Sequence, residues 1–190
     1  MLVAITGNFC SGKSSLAEIF RAKGFKTFDS DKIVAELYAR KKTALKVKKI
    51  CHEAVANSGK VNKKILAEKV FSSASKLRRL NRLMHPLVKK EILLLSKKFR
   101  KSRKPVFVEV PLLFEARMQS LFDSVILVKC ARKTALERAR RKGFTSRQFA
   151  RIVSFQQPWK KNSKKAGFVF GSDNGLKGLG KAAEKVLAGI

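Results

Sequence analysis

The chain has 190 residues, 45% of them hydrophobic, which is enough to bury the core of one globular domain and too apolar for a disordered polycation. Lys and Arg number 44 against 13 Asp and Glu, a formal net charge of +31. That imbalance selects anionic partners, nucleotides, nucleic acid or acidic surfaces, and says nothing about fold.

The first apolar run, residues 2–6 (LVAIT), is bounded by Gly7 and reads as a buried strand. Residues 13–24 read as a helix with Leu16, Ile19 and Phe20 on one face and Gly24 at its stop. Residues 25–31 (FKTFDSD) read as a second strand that ends in two carboxylates. From Lys32 to about Lys104 the pattern is helical without a convincing strand, and Pro86 is expected to start a new helix after His85. Residues 105–111 (PVFVEVP) and 124–130 (SVILVKC) are apolar nearly throughout, as parallel strands covered on both faces are. Residues 133–142 form a very basic helix, 142–146 a break, and 146–163 a helix interrupted at Pro158. GFVF (167–170) is the expected last strand and 177–188 the last helix. Strands that alternate with helices predict an α/β fold with a parallel sheet.

Cys10, Cys51 and Cys130 form no CxxC pair and have no metal-ligand spacing to His52 or His85, so a reducing compartment without structural zinc is expected. No signal-peptide pattern opens the sequence and no apolar run approaches a membrane span. A cytoplasmic protein with no membrane partner is therefore expected.

Gly7 and Gly12-Lys13-Ser14 match G-x-x-x-x-G-K-[ST], between a predicted strand and a predicted helix. Such a loop wraps phosphates with its N–H groups, which favours glycine where φ is positive or a side chain would clash. The helix that follows presents its positive end to the same anion. Gly7, Asn8, Cys10, Ser11, Gly12, Lys13, Ser14 and Ser15 are thus the candidate ATP-binding residues. Lys13 would reach the β- and γ-phosphates and Ser14 would ligate Mg²⁺. Cys10 is either a reactive thiol in an electropositive loop or a small residue that fits there.

Ligands of open α/β sheets bind beyond the carboxyl ends of the strands. Asp29 and Asp31 stand at such an end. Asp31 either orients or deprotonates an attacking hydroxyl or caps the helix that begins near Lys32.

With these motifs in place, the sequence resembles the dephospho-CoA kinase family. GNFCSGKSS resembles its glycine-rich GGIGSGKST loop, and FDSD its D-x-D ending after the second strand. VNKKILAEKVF (61–71) resembles a segment of its acceptor domain, LNRLMHPLV (80–88) its H-P-L motif, VFVEVPLLFEA (106–116) its strand with a P-L-L-F-E turn, and AGFVF (166–170) its closing strand. The resemblance implies phosphorylation of the ribose 3′-hydroxyl of dephospho-CoA by ATP with Mg²⁺. It implies a P-loop core of residues 1–31 and 105–190, a lid at about 138–160, and a helical acceptor insertion of residues 32–104. Lys13, Asp31, Arg138 and Arg141 become the catalytic candidates; Asp29, Asp31, His85, Pro111 and Leu112 the substrate candidates; Ser14 and Glu109 the Mg²⁺ candidates. His85 could instead simply end a helix, Glu109 be a satisfied core carboxylate, and the lid arginines be solvated. Gln157-Pro158 is matched to the family's Q-x-P element.

Three departures stand out. Asn8 and Cys10 occupy glycine positions of the family loop, and Asn tolerates positive φ better than most residues. Gly167 stands where the family carries Asp, and GSDNG (171–175) loosely matches its D-N-x-G ending. The charge exceeds what a nucleotide cleft needs; solvated basic faces are the expected reading, and nonspecific nucleic-acid binding through phosphate contacts is the alternative, not expected to be the function. The alternatives are another P-loop nucleoside or nucleotide kinase, or a basic nucleic-acid-binding NTPase; the oligomer is open between monomer and trimer.

Overall fold

The structure, a computed structural model, describes residues 1–190. Strands β1 (Leu2–Gly7), β2 (Lys26–Asp29), β3 (Val106–Glu109), β4 (Ser124–Lys129) and β5 (Phe168–Gly171) form one sheet of order β2-β3-β1-β4-β5, parallel throughout. Burial explains the composition of the central strands. Every residue of β1 and β3 is buried, so both run apolar instead of alternating. The order also defines the crevice. The connection from β1 leads to one side of the sheet, and the connection from β3 crosses β1 to reach β4. Ligands of doubly wound sheets bind at such a reversal.

The chain divides into two compact units, Met1–Asp29 with Ser96–Ile190, and Ser30–Leu95. In the first, helices α1 (Lys13–Ala22) and α9 (Gly175–Ala188) cover the sheet through Leu16, Ala17 and Phe20 and through Leu179, Ala183 and Val186. Phe20 stacks on Phe107 of β3 at 3.7 Å between ring centroids, and Phe25 meets both rings edge-on. Helix α1 stops as its glycine indicates. Gly24 has φ +82°, and the Phe25 N–H donates back to the Phe20 carbonyl at 3.0 Å. Helices α6 (Arg132–Arg141), α7 (Ser146–Ser154) and α8 (Trp159–Asn162) lie between β4 and β5. Thr145 and Gln148 form a capping box that starts α7.

The second unit is helical. It holds α2 (Ser30–Ala39), α3 (Lys41–Lys48), α4 (Lys63–Phe71) and most of α5 (Ala74–Phe99), with one isolated bridge between Val55 and Val61. Both ends of α3 are tied to α5. Arg40 donates to Glu91 at 2.7 Å, and Arg79 donates to the Lys49 carbonyl at 2.9 Å.

Two expectations are corrected. Strand β2 ends at Asp29, and Ser30 and Asp31 already belong to α2. Pro86 does not restart a helix, since α5 runs through it unbroken. Leu80, Met84, Val88 and Ile92 are buried at four-residue spacing on both sides of the proline, which holds the helix together across it. The Arg82 carbonyl that loses its donor belongs to an exposed residue, where water can satisfy it. Because Pro86 is itself exposed, Pro86→Ala should restore that bond, raising the midpoint of chemical denaturation and the unfolding free energy derived from it by up to about 3 kcal/mol. An unchanged or lower midpoint would mean that the ring stabilises α5 by packing.

Candidate active site

Strand β1 delivers the chain into a tight phosphate-type loop, and backbone sterics dictate its glycines. Gly7 has φ +146°, and a Cβ there would lie 2.0 Å from the Val128 carbonyl oxygen of β4. Gly12 has φ +95° and borders Ser172, whose Cβ and Oγ would stand 3.2 Å from an added Cβ. Between them Cys10 takes φ +59°, one of two non-glycine residues of the chain with positive φ. Asn8 is not the other, so its tolerance of positive φ goes unused and the strained position is the cysteine. The turn closes through Ser11 N–H donating to the Asn8 carbonyl at 3.0 Å, and the Lys13 ammonium donates to the same oxygen at 2.9 Å. Lys13 is buried, and the first turn of α1 contains no acid. A cation and the N–H groups of a helix start thus converge on one point, a ready anion site.

The acidic partners come from neighbouring strand ends. Ser14 donates its hydroxyl to Glu109 Oε1 at 2.9 Å, and Asp29 is the register partner of Glu109 across β2 and β3. Glu109 is buried. Hydroxyl and carboxylate oxygens are hard donors that suit Mg²⁺. No group of three His, Cys, Asp or Glu side chains clusters to form an all-protein metal cage. The pair fits an ion that draws its remaining ligands from water and substrate phosphates.

Helix α6 reaches back onto the loop through Arg138. Its guanidinium donates to Ser172 Oγ at 2.8 Å, to the Ser172 carbonyl at 2.7 Å and to the Cys10 carbonyl at 3.4 Å. Arg141 is exposed, so of the two arginines singled out from sequence only Arg138 meets the loop. Asp173 fastens the start of α6, accepting from the Ala131 N–H at 3.0 Å and the Thr134 hydroxyl at 2.8 Å. The Ala131 N–H, then the Thr134 hydroxyl, hold its carboxyl below the usual range. The loop's third residue, Phe9, inserts its ring among Ala135, Ala139, Phe144 and Phe149 of the α6–α7 region, 5.1 Å from Phe144 in edge contact.

Sequence reading passed over Gln156 and Ser172. Gln156 Oε1 accepts the Phe9 N–H at 2.7 Å, and Gln157 uses its own N–H on Glu115 at 2.7 Å. The available signal was the Gln156-x-Pro158 spacing, which is the Q-x-P pattern read one residue earlier. Pro111 lines a narrow cleft together with Asn8, Glu115, Gln156 and Trp159. Leu112 is 43% exposed and does not line that cleft. Gly167 is exposed, and any side chain there would meet the Ser124 hydroxyl at 3.0 Å.

In the helical unit, Asp31 lies in the first turn of α2, a position where a carboxylate is favoured by the helix dipole alone. His85 sits directly before Pro86 on α5, half-buried, and burial pushes its imidazole below the usual range towards the neutral form.

A family model of dephospho-CoA kinases matches residues 1–178. A dephospho-CoA kinase of Bartonella henselae is 32% identical over 192 residues, which cover 98% of this chain and 94% of that protein. A crystal structure of a Thermus thermophilus protein superposes with a TM-score of 0.83 at 30% identity and covers 100% of this chain and 97% of that one. A dephospho-CoA kinase from Campylobacter jejuni gives a TM-score of 0.74 at 26% identity, with 98% and 95% covered.

The loop cysteine provides a check on the site's electrostatics. Burial pushes the Cys10 thiol up and outweighs the opposing charges of Lys142, Lys13 and Arg138. A thiol of raised pKa is a poor nucleophile at neutral pH. Alkylation of Cys10 by iodoacetamide, followed by peptide mass spectrometry, should be slow at pH 7 and climb only above the ordinary thiol range. Fast labelling at pH 7 would show that the cations prevail.

Proposed function

This chain belongs to the dephospho-CoA kinase family, and its reaction is the ATP-dependent phosphorylation of dephospho-CoA to CoA; we propose that the residues around the loop divide that reaction as follows. The observation that carries the assignment is the Ser14–Glu109 hydrogen bond of 2.9 Å, which puts a loop hydroxyl and a buried carboxylate at one point of the nucleotide crevice.

Residues 7–15 cradle the phosphates of ATP through backbone N–H groups, and the Lys13 ammonium neutralises the β- and γ-phosphates. Transfer to an alcohol passes through a state with charge spread over the moving phosphoryl oxygens, so catalysis is mostly positioning and electrostatics. Arg138 supports that state. A guanidinium has five N–H donors, and three contacts to protein occupy part of that set. Ser14 and Glu109 would hold Mg²⁺, which when bound supplies charge neutralisation between the β- and γ-phosphates.

On the acceptor side, Asp31 orients the ribose 3′-hydroxyl and takes up its proton. The residue lies two positions beyond the end of β2, whose last residue Asp29 pairs in register with Glu109. His85, held neutral by burial, has one donor and one acceptor for the acceptor molecule. We assign dephospho-CoA recognition to the Ser30–Leu95 unit, inserted between β2 and β3, where several lysines and arginines suit an anionic acceptor.

Release of ADP, coupled to a second enzyme, tests the reading with dephospho-CoA, AMP and adenosine as competing acceptors. Turnover on dephospho-CoA alone is expected, and preference for AMP or adenosine would move the chain to a nucleotide or nucleoside kinase. Lys13→Ala should abolish turnover. Asp31→Asn should lower kcat by about 10²–10⁴-fold with the KM for ATP within a few-fold. Full activity in Asp31→Asn would leave that residue only its place in the first turn of α2. Glu109→Gln should raise the Mg²⁺ concentration needed for half-maximal rate, and an unchanged requirement would remove Glu109 from the metal site.

A further inference from the structure

We infer that Ser172, in the loop between β5 and α9, is a positioning residue for phosphoryl transfer: through one buried hydroxyl it aims both the Gly12 N–H of the phosphate loop and the Arg138 guanidinium. The inference rests on the kinase reading of the site and adds a residue that the loop motif does not contain.

Ser172 is fully buried, and each of its polar groups is engaged. Its N–H donates to the Lys129 carbonyl at 2.9 Å, which pins it to the carboxyl end of β4. Its hydroxyl donates to the Ser11 carbonyl at 2.6 Å and accepts from Arg138 at 2.8 Å. Its carbonyl accepts a second Arg138 bond at 2.7 Å. The Ser11 hydroxyl is buried without a partner, so it is through its carbonyl that Ser172 holds Ser11.

The geometry of the peptide unit turns this contact into an effect on the nucleotide. The backbone contains no cis peptide, so the Ser11 carbonyl and the Gly12 N–H point in opposite directions across one planar unit. Fixing the carbonyl on Ser172 directs the Gly12 N–H away from Ser172. The phosphate-loop motif uses that donor. The same hydroxyl is the acceptor that keeps the Arg138 side chain against the loop, beside the strained Cys10. Backbone strain of this kind persists where the surroundings over-determine it. Gly12 leaves just the room required, since a Cβ there would press on Ser172 at 3.2 Å.

Ser172→Ala removes the hydroxyl without adding bulk. With wild-type turnover on dephospho-CoA established first, the variant should lose about 10-fold in kcat and raise the KM for ATP about 3- to 10-fold, magnitudes of one positioned hydrogen bond. The KM for dephospho-CoA should not move. In the Arg138→Ala background, Ser172→Ala should lower kcat no further while still raising the KM for ATP. Multiplicative kcat losses in the double variant, or a lowered melting temperature with wild-type kcat and KM, would overturn the inference. Absence of wild-type turnover would instead count against the kinase reading, with the same variant's effect on ATP affinity by calorimetry still testing the Ser172 contact.

Discussion

The close approach of β1 and β4 at Gly7 is the constraint on which the site depends. Adjacent parallel strands leave a carbonyl oxygen only 2.0 Å from where a side chain at Gly7 would begin. Without a Cβ, the backbone can turn out of the sheet at once, at the reversal of strand order, and reach α1 within a few residues. Everything downstream inherits that geometry: the buried Lys13, the alignment of Ser14 with Glu109 on β3, and the fit of Gly12 against Ser172. A wider turn would move all three away from the helix terminus that they reinforce.

Charge then specialises the geometry. The loop is surrounded by Lys13, Arg138 and Lys142, and the acids near it are committed. Glu109 accepts from Ser14, and Asp173 caps α6. Buried donors and cations are worth more in a partly desolvated crevice than on an open surface. The chain-wide excess of 31 positive charges is a different matter, since most of it lies on exposed helix faces outside this crevice.

Much of this was legible in the sequence because the relevant signals are local. Apolar runs marked β1, β3, β4 and β5, β2 was read two residues beyond its end, and the eight-residue loop motif identified the nucleotide end of the crevice. Where reading failed, the determinants were not local. Pro86 looks like a helix boundary to its neighbours, and only the buried stripe from Leu80 to Ile92 overrides it. The positive φ fell on Cys10 and not on Asn8, because the closure of the turn decides it and residue preference does not. Ser172 lies in a segment that matches the family motif only loosely. Its role comes from β5 and α9 packing beside α1, a relation between segments about 160 residues apart, as its bond to Ser11 illustrates. Arg138 and Arg141 are equivalent in composition and were separated only by helical phase.

The insertion of Phe9 has a consequence for how the molecule works. An aromatic ring that belongs to the phosphate loop is also part of the small apolar core of α6 and α7. The phosphate loop and the α6–α7 region therefore share one set of contacts, so loosening either would expose apolar surface of the other. A nucleotide that orders the loop would steady α6 and α7 through the same contacts, and linkage makes any such coupling reciprocal.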